Sequence, residues 1–295
     1  MSAQSKPTPI PSIAFIGAGR VANTLSRAFV VGGIPVAAIA SRNPDSAARL
    51  AATVDGSRAV AMDEAAREAL VFVTVPDDDI ATVCSGLKWR TGQQVVHCSG
   101  ATDVSALDSA RRHGAEIGGF HPLQIFSDPD RAIGLLAGAT VAIEGPSSLV
   151  GTLTTIALRL RMQPLTLPAG ARGAYHGGAS FAASFLVSMI DEAVAMWKTF
   201  GIDEADALDA LLPLARGTVE AIATRGVAGA VSGPISRGDI GVIGRHLAAF
   251  DRHGADHLRF YRELAHRQVG LAVLDGRLDD AAARRVTGAI DTDPS

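Results

Sequence analysis

The side chains best suited to chemistry lie in a few short segments. His121 stands in Phe120-His121-Pro122-Leu123-Gln124, where it leaves an apolar run beside a proline that restrains the backbone, so its imidazole is placed to donate a hydrogen bond to a carbonyl or carboxylate. A packing role is the alternative. Tyr175-His176 opens the longest helical segment, and Ser184 follows His176 by eight residues, about two turns, which puts the two on one face of a continuous helix. His176 could supply the proton that reduction of a carbonyl or imine requires, although a structural histidine is the commoner case. Arg237, in Ser232-Gly233-Pro234-Ile235-Ser236-Arg237-Gly238-Asp239, could hold a carboxylate, beside an Asp239 that could neutralise it or cap the next helix. The expected catalytic set is therefore His121, His176, Ser184 and Arg237.

A second set reads as a cofactor site. Ser12 to Ala22 is an apolar strand running into Gly17-x-Gly19-x-x-Ala22 at a helix start. The pattern alone is weak, because glycine and alanine are abundant here. Its place directly after a strand and before a helix carries the argument. There Gly17 serves the tight turn, Gly19 admits a pyrophosphate to the backbone, and the first helical amides hold the anion. After the second apolar run, Ala40-Ser41-Arg42-Asn43 lacks the carboxylate that binds the ribose hydroxyls of NAD, and Arg42 offers a planar fork for the 2′-phosphate of NADP, helped by Ser41. NADP(H) is the expected cofactor. Its expected contacts are Gly17, Gly19, Arg20, Val21, Ser41, Arg42, Val75, Pro76, Ser99 and Gly100.

Two other features invite chemistry and receive plainer readings. Asp77 to Asp79 fall at a helix start, where carboxylates are favoured as caps, and no companion ligands make them a metal site. Cys98 reads as a small packed hydrophobe, and Cys84 and Cys98 are too few for a zinc site or a disulfide framework.

The elements that must position these residues change character at Pro168. Before it, apolar runs (Ile13–Ile16, 35–40, 70–75, 94–98, 116–120 and 140–143) alternate with helical stretches such as 21–31, 46–52 and 102–113, the pattern of a doubly wound, mostly parallel Rossmann sheet. After it, helical spacing runs through 171–200, 203–224, 238–253 and 255–274. The expectation is an NADP-binding α/β domain over residues 10–168 and an all-α domain over 169–290 for substrate binding and dimerisation. Residues 175–200 are apolar around much of the helix, which predicts burial on several sides, with a second subunit as one way to cover them. The glycine-rich stretch 225–238 reads as a functional loop. The first eleven residues and the tail after Thr287 read as loose.

Composition bounds the rest. Of 295 residues, 47% are hydrophobic and 19% charged with a net charge of −3, which argues for a globular chain without a nucleic-acid footprint. No secretory core and no apolar stretch of about 20 residues is evident, so a cytoplasmic protein is expected, with a small molecule and a second copy of the chain as partners.

Several of these stretches together resemble a known family, the oxidoreductases that join an N-terminal Rossmann-like domain to a C-terminal DUF2520 domain, within the wider group of ketopantoate-reductase-like and pyrroline-carboxylate-reductase-like enzymes. The matching residues are Phe15 to Ala22, His97 to Ala101, Gly119 to Phe126, Val141 to Gly145, Ala174 to Val187 and Ser232 to Asp239, followed by His246-Leu247. The resemblance implies a dinucleotide fold, a helical domain that often dimerises, and ketopantoate as a first substrate to test. Ser184 stands where the family pattern has asparagine, and Arg172-Gly173 precede Tyr175 where a lysine is expected from ketopantoate-reductase-like enzymes. The expected function is NADPH-dependent reduction of a small carboxylate-bearing carbonyl compound. An imine or pyrroline carboxylate reductase and a non-catalytic NADPH sensor are the alternatives.

Overall fold

The computed structural model describes residues 10–293, so the reading of a loose N-terminus falls mostly outside them. Eight strands, β1 (Ile13–Ile16), β2 (Val36–Ala40), β3 (Arg58–Ala59), β4 (Leu70–Val73), β5 (Gln94–His97), β6 (Glu116–Pro122), β7 (Thr140–Glu144) and β8 (Gln163–Thr166), form one sheet. Their helices are α1 (Arg20–Val31), α2 (Pro44–Ala51), α3 (Met62–Ala65), α4 (Ile80–Ser85), α5 (Asp108–Arg112), α6 (Pro129–Leu135) and α7 (Ser147–Arg159). Then follow α8 (Arg172–Ala182), α9 (Ser184–Lys198), α10 (Glu204–Gly229), α11 (Ile240–Asp251), α12 (Ala255–Leu274) and α13 (Asp280–Asp291). The chain divides into two compact units, one ending at Phe181 and one beginning at Ala182.

In the first unit the strand order is β3-β2-β1-β4-β5-β6-β7-β8, parallel throughout except for the antiparallel pair β6 and β7. Both faces are covered, so β1 and β4 are buried at all four positions and read as unbroken apolar runs. On one face Phe15, Phe29, Phe72 and Phe120 pack as stacked and edge-on rings 5.1–6.4 Å apart. Ala14, Val71, Val95 and Ile117 anchor the core on the other face. The winding reverses between β1 and β4, where a doubly wound sheet opens a crevice at its strand ends.

Several elements were not expected from the sequence. Two-residue β3 is too short to show a period, and β8, exposed throughout and carrying Pro164, has no apolar alternation. The segment after β5 is capped by Asp103, which accepts from the Ser105 amide.

The second unit is helical. Ile243, Leu247, Leu258, Val269, Val286 and Ile290 join α11, α12 and α13 in one core, while Val194, Ala207 and Leu211 join α9 to α10. Two expectations are corrected here. The tail after Thr287 is helical to Asp291, because α13 buries Val286 and Ile290. The stretch from Arg225 continues α10 to Gly229 after a single break at Gly226, whose φ of 74° only glycine adopts readily. Helix α9 buries only Val194, with Val187 70% exposed, so the several-sided burial is not seen within one chain.

Within the 27-residue span Arg172–Lys198 an 18-residue window reaches a mean hydropathy of 1.4, long and apolar enough by composition to cross a membrane, contrary to the expectation that no such stretch occurs. The first residue of the span is nevertheless a buried arginine tied to the sheet by an ion pair.

Candidate active site

The glycine turn follows from strand geometry. β1 ends at Ile16, and Gly17 takes φ 118° while its amide donates to the Ala40 carbonyl at the end of β2. A Cβ at Gly17 would lie 2.6 Å from the Thr74 carbonyl oxygen, so glycine is required there both for backbone angle and for space. Gly19 caps α1 and has nothing within 4 Å of where its Cβ would sit, leaving the first amides of the helix open. Together with Ser41, Arg42, Thr74, Val75, Pro76 and Asp79, these glycines line a cleft of about 310 Å³ at the β1–β4 reversal.

That arrangement fits the diphosphate and ribose of a dinucleotide: amides at a helix start face an open backbone, and a guanidinium stands at the far end. Arg42 is mostly exposed, its guanidinium 3.9 Å from Asp79. At that distance and exposure the pair is weak, and the fork is available to a phosphate. Of the expected cofactor contacts, Gly17, Gly19, Ser41, Arg42, Val75 and Pro76 line this cleft. Arg20, Val21, Ser99 and Gly100 do not.

Ser99 and Gly100 belong to a second cluster, at the ends of β5 and β6. The Ser99 hydroxyl donates to Asp77 at 2.6 Å, so Asp77 organises this turn and no side chain of the Asp77–Asp79 run caps a helix. The Ser99 amide donates to Nδ1 of His97 at 3.2 Å, which places the proton of that neutral ring on Nε2. Burial, reinforced by Arg172, lowers the His97 pKa to about 4. Burial also raises the Cys98 thiol to about 12, as expected of a packed hydrophobe.

The pivot of the cluster is Arg172, the first residue of α8. Its side chain is 2% exposed; Nε donates to Glu144 at 2.7 Å and Nη1 to the Ser99 carbonyl at 2.7 Å. A Cβ at Gly119 would land on its guanidinium, so the double glycine in β6 is the seat of the arginine. The strand register sets Gly119 between His97 and Glu144, which brings β5, β6 and β7 to one arginine. Neutralised in this way, Arg172 anchors the start of α8 on the sheet.

One turn along, Tyr175 and His176 meet His121. Tyr175 Oη and His121 Nδ1 are 3.0 Å apart, and the His121 and His176 rings pack edge-on with centroids at 5.6 Å. Nε2 of His121 and Nδ1 of His176 both approach Gly100, and a Cβ there would lie 2.8 Å from the former and collide with the latter. His176 Nδ1 is buried and makes no hydrogen bond. Burial, with His176 and Arg172 adding repulsion, lowers the His121 pKa to about 4, so its ring is neutral near pH 7.

The structure thus brings together His121 and His176 from the expected catalytic set. The continuous helix that would have aligned Ser184 with His176 is broken at Ala183 (φ −121°, ψ −87°), and Ser184 opens α9 in the second unit. Arg237 lies in the second unit and is exposed there, and Asp239 caps α11 through the Val242 amide. Among the described residues no group of three or more histidine, cysteine or carboxylate side chains could hold a metal. Arg172, Glu144 and the hydroxyl of Tyr175 were not foreseen as site members. A signal existed for two of them, since Glu144 ends an apolar strand and Arg172 opens an apolar helix, and lone charges in such places require partners.

Comparison with known proteins finds two matching families and several structures of the same fold. Residues 12–100 match a family described as NADP oxidoreductase coenzyme F420-dependent, and residues 139–268 match the domain of unknown function DUF2520. Protein TM1727 from Thermotoga maritima shares 24% identity over 90% of this chain and 99% of its own, with a TM-score of 0.75. A Bacteroides fragilis protein, BF3122, assigned provisionally as an NADP oxidoreductase, shares 25% identity over 88% of this chain and 97% of its own, with a TM-score of 0.68. An imine reductase from a Pseudomonas species shares the fold at 18% identity, covering 94% of this chain and 99% of its own, with a TM-score of 0.62. The sequence matches none of the curated proteins with which it was compared.

Proposed function

We propose that this chain, which belongs to the family of oxidoreductases joining a Rossmann-like domain to a DUF2520 domain, reduces a small carboxylate-bearing carbonyl compound of the 2-oxo acid type at the expense of NADPH. A nicotinamide dinucleotide is the cofactor of this family, and when bound it supplies a hydride. Gly17, Gly19 and the start of α1 would hold its diphosphate. The preference for NADPH rests on Ser41 and Arg42, which stand where a ribose-binding carboxylate is missing.

The observation that carries the reductase reading is the convergence of His121 and His176 on Gly100 at the end of β5. Strand ends beside the reversal are where open α/β sheets hold ligands. His121 is held by Tyr175, and α8 by Arg172, so the imidazole offers a fixed donor to a substrate oxygen without needing to be charged. Arg237 is the proposed carboxylate partner, and its part is decided by whether Arg237→Ala raises KM.

One observation favours imines as a second substrate class. With its pKa near 4, His121 is neutral at pH 7 and holds almost no imidazolium to give, and an imine, readily protonated in solution, asks less of an acid than a ketone does. Purified protein is to be mixed with NADPH or NADH and a panel of 2-oxo acids, ketopantoate first, and cyclic imines, following nicotinamide oxidation. Turnover of a 2-oxo acid that falls at least tenfold in His121→Ala supports the reading. Tight NADPH binding with no turnover on any panel member sinks it and leaves a dinucleotide sensor.

A homodimer formed through the helical unit is part of the same proposal. Val187, Leu214, Val219 and Val227 on α9 and α10 are each more than half exposed, and residues 184–190 carry no charge, a surface suited to a second copy of the chain.

A further inference from the structure

We propose that Tyr175 and His121 form a two-residue proton relay, in which His121 Nε2 delivers a proton to the substrate and the Tyr175 hydroxyl restores it through Nδ1. The inference rests on the reductase reading and adds a residue and a direction to it. Tyr175 Oη and His121 Nδ1 are 3.0 Å apart, their rings nearly perpendicular with centroids at 5.7 Å. Two proton arrangements satisfy that distance. A phenol O–H is a stronger donor than a neutral imidazole N–H, and a bare ring nitrogen a better acceptor than a phenolic oxygen, so the phenol donates to Nδ1. If the phenol donates, its proton is used and His121 carries its own on Nε2, the atom that faces the space over Gly100.

The groups facing His121 are Tyr175, His176, Arg172 and Asp77. The Asp77 carboxylate is occupied by Ser99, the Arg172 guanidinium by Glu144 and the Ser99 carbonyl, and His176 Nδ1 makes no hydrogen bond, which leaves Tyr175 as the group hydrogen-bonded to His121 and its proton source. Tyr175 is half-buried, within reach of solvent.

The step balances as follows. The Nε2–H bond breaks as the substrate oxygen gains that proton, while the substrate carbon gains the hydride from the reduced nicotinamide. Nδ1 takes the phenolic proton, so the ring stays neutral, and the phenolate takes one proton from solvent. Exchange with solvent returns the ring to its Nε2–H form after product leaves. One proton is consumed per carbonyl reduced.

Side-chain 15N NMR of the whole protein, without cofactor or substrate, tests the direction. His121 is expected as the Nε2–H tautomer with a hydrogen-bonded Nδ1, and Tyr175→Phe should remove the Nδ1 signature while leaving the backbone spectrum of the sheet unchanged. An Nδ1–H tautomer in the unaltered protein overturns the relay whether or not any variant folds. On a panel member that turns over, Tyr175→Phe should lower kcat about a hundredfold at nearly constant KM and NADPH affinity. Turnover within twofold of the unaltered protein overturns it. Absence of turnover on every panel member is instead the failure of the reductase reading, and the tautomer is read independently of it.

Discussion

Arg172 and Glu144 form an ion pair of 2.7 Å in which the two side chains are only 2% and 10% exposed. Twenty-eight residues separate them in sequence, yet this pair and the Arg172 bond to the Ser99 carbonyl tie the start of α8 to β7 and to the turn after β5. Removing one partner strands a buried charge. Arg172→Met and Glu144→Gln are each expected to cost about 3 kcal/mol or more of stability, read by urea unfolding. The double variant should cost clearly less than the two single losses added, since it leaves neither charge uncompensated. Additive losses would show that the pair does not act as a unit.

Gly100 and Gly119 separate the histidines from their anchor. In Gly119→Ala the new Cβ meets the guanidinium of Arg172, so folding should suffer by about 2 kcal/mol or more. In Gly100→Ala it meets the two histidine rings instead. Turnover should then fall at least tenfold, while NADPH affinity, measured by fluorescence titration, changes less than threefold.

Arg42 is where the choice between NADPH and NADH should be made. A charge-assisted hydrogen bond to a 2′-phosphate contributes about 1.5–3 kcal/mol, roughly a 10- to 150-fold preference. Arg42→Ala should remove most of that preference by weakening NADPH and leaving NADH nearly unchanged. Equal affinity for both in the unaltered protein would refute the assignment.

His97 and His121 give the first unit an acid-sensitive stability. Both have folded-state pKa values near 4, below the ordinary value of 6.5, through burial first and the charge of Arg172. Between those limits the unfolded chain binds protons that the folded chain refuses, so stability falls as pH drops from about 6.5 to about 4 and is level above it. Each histidine contributes on the order of 3 kcal/mol across that window. Thermal unfolding from pH 7.5 to 4 should show the decline, and His97→Gln should reduce its slope; an unchanged slope would contradict the buried neutral state.

A dimer through the helical unit predicts that light scattering coupled to gel filtration returns twice the chain mass of 30.4 kDa. Val187→Glu together with Leu214→Glu, at positions 70% and 68% exposed in the single chain, should shift the protein to monomer without unfolding it. A monomeric unaltered protein would remove the proposal.

Much of the first unit was legible in the sequence because its information is local. Apolar runs doubly covered by helices stand out as unbroken strands, a glycine turn after a strand identifies itself, and the absence of a carboxylate beside Arg42 needs no long-range contact to be noticed. His121 was legible for the same reason, as a histidine leaving a strand beside a proline. Tertiary structure alone decided what the histidine touches. The Tyr175 hydroxyl comes from a helix 54 residues away, the seat of Arg172 depends on the register of β6 between β5 and β7, and the break at Ala183 takes Ser184 out of the helix that would have aligned it with His176. Helical spacing is a statement about a few turns of one element, whereas a buried polar cluster is assembled from four. The sequence therefore determined by itself where cofactor and chemistry should lie along the sheet, and only the packing of α8 on that sheet decided which side chains meet there, because burial forces each charge and hydroxyl to find a partner wherever the fold supplies one.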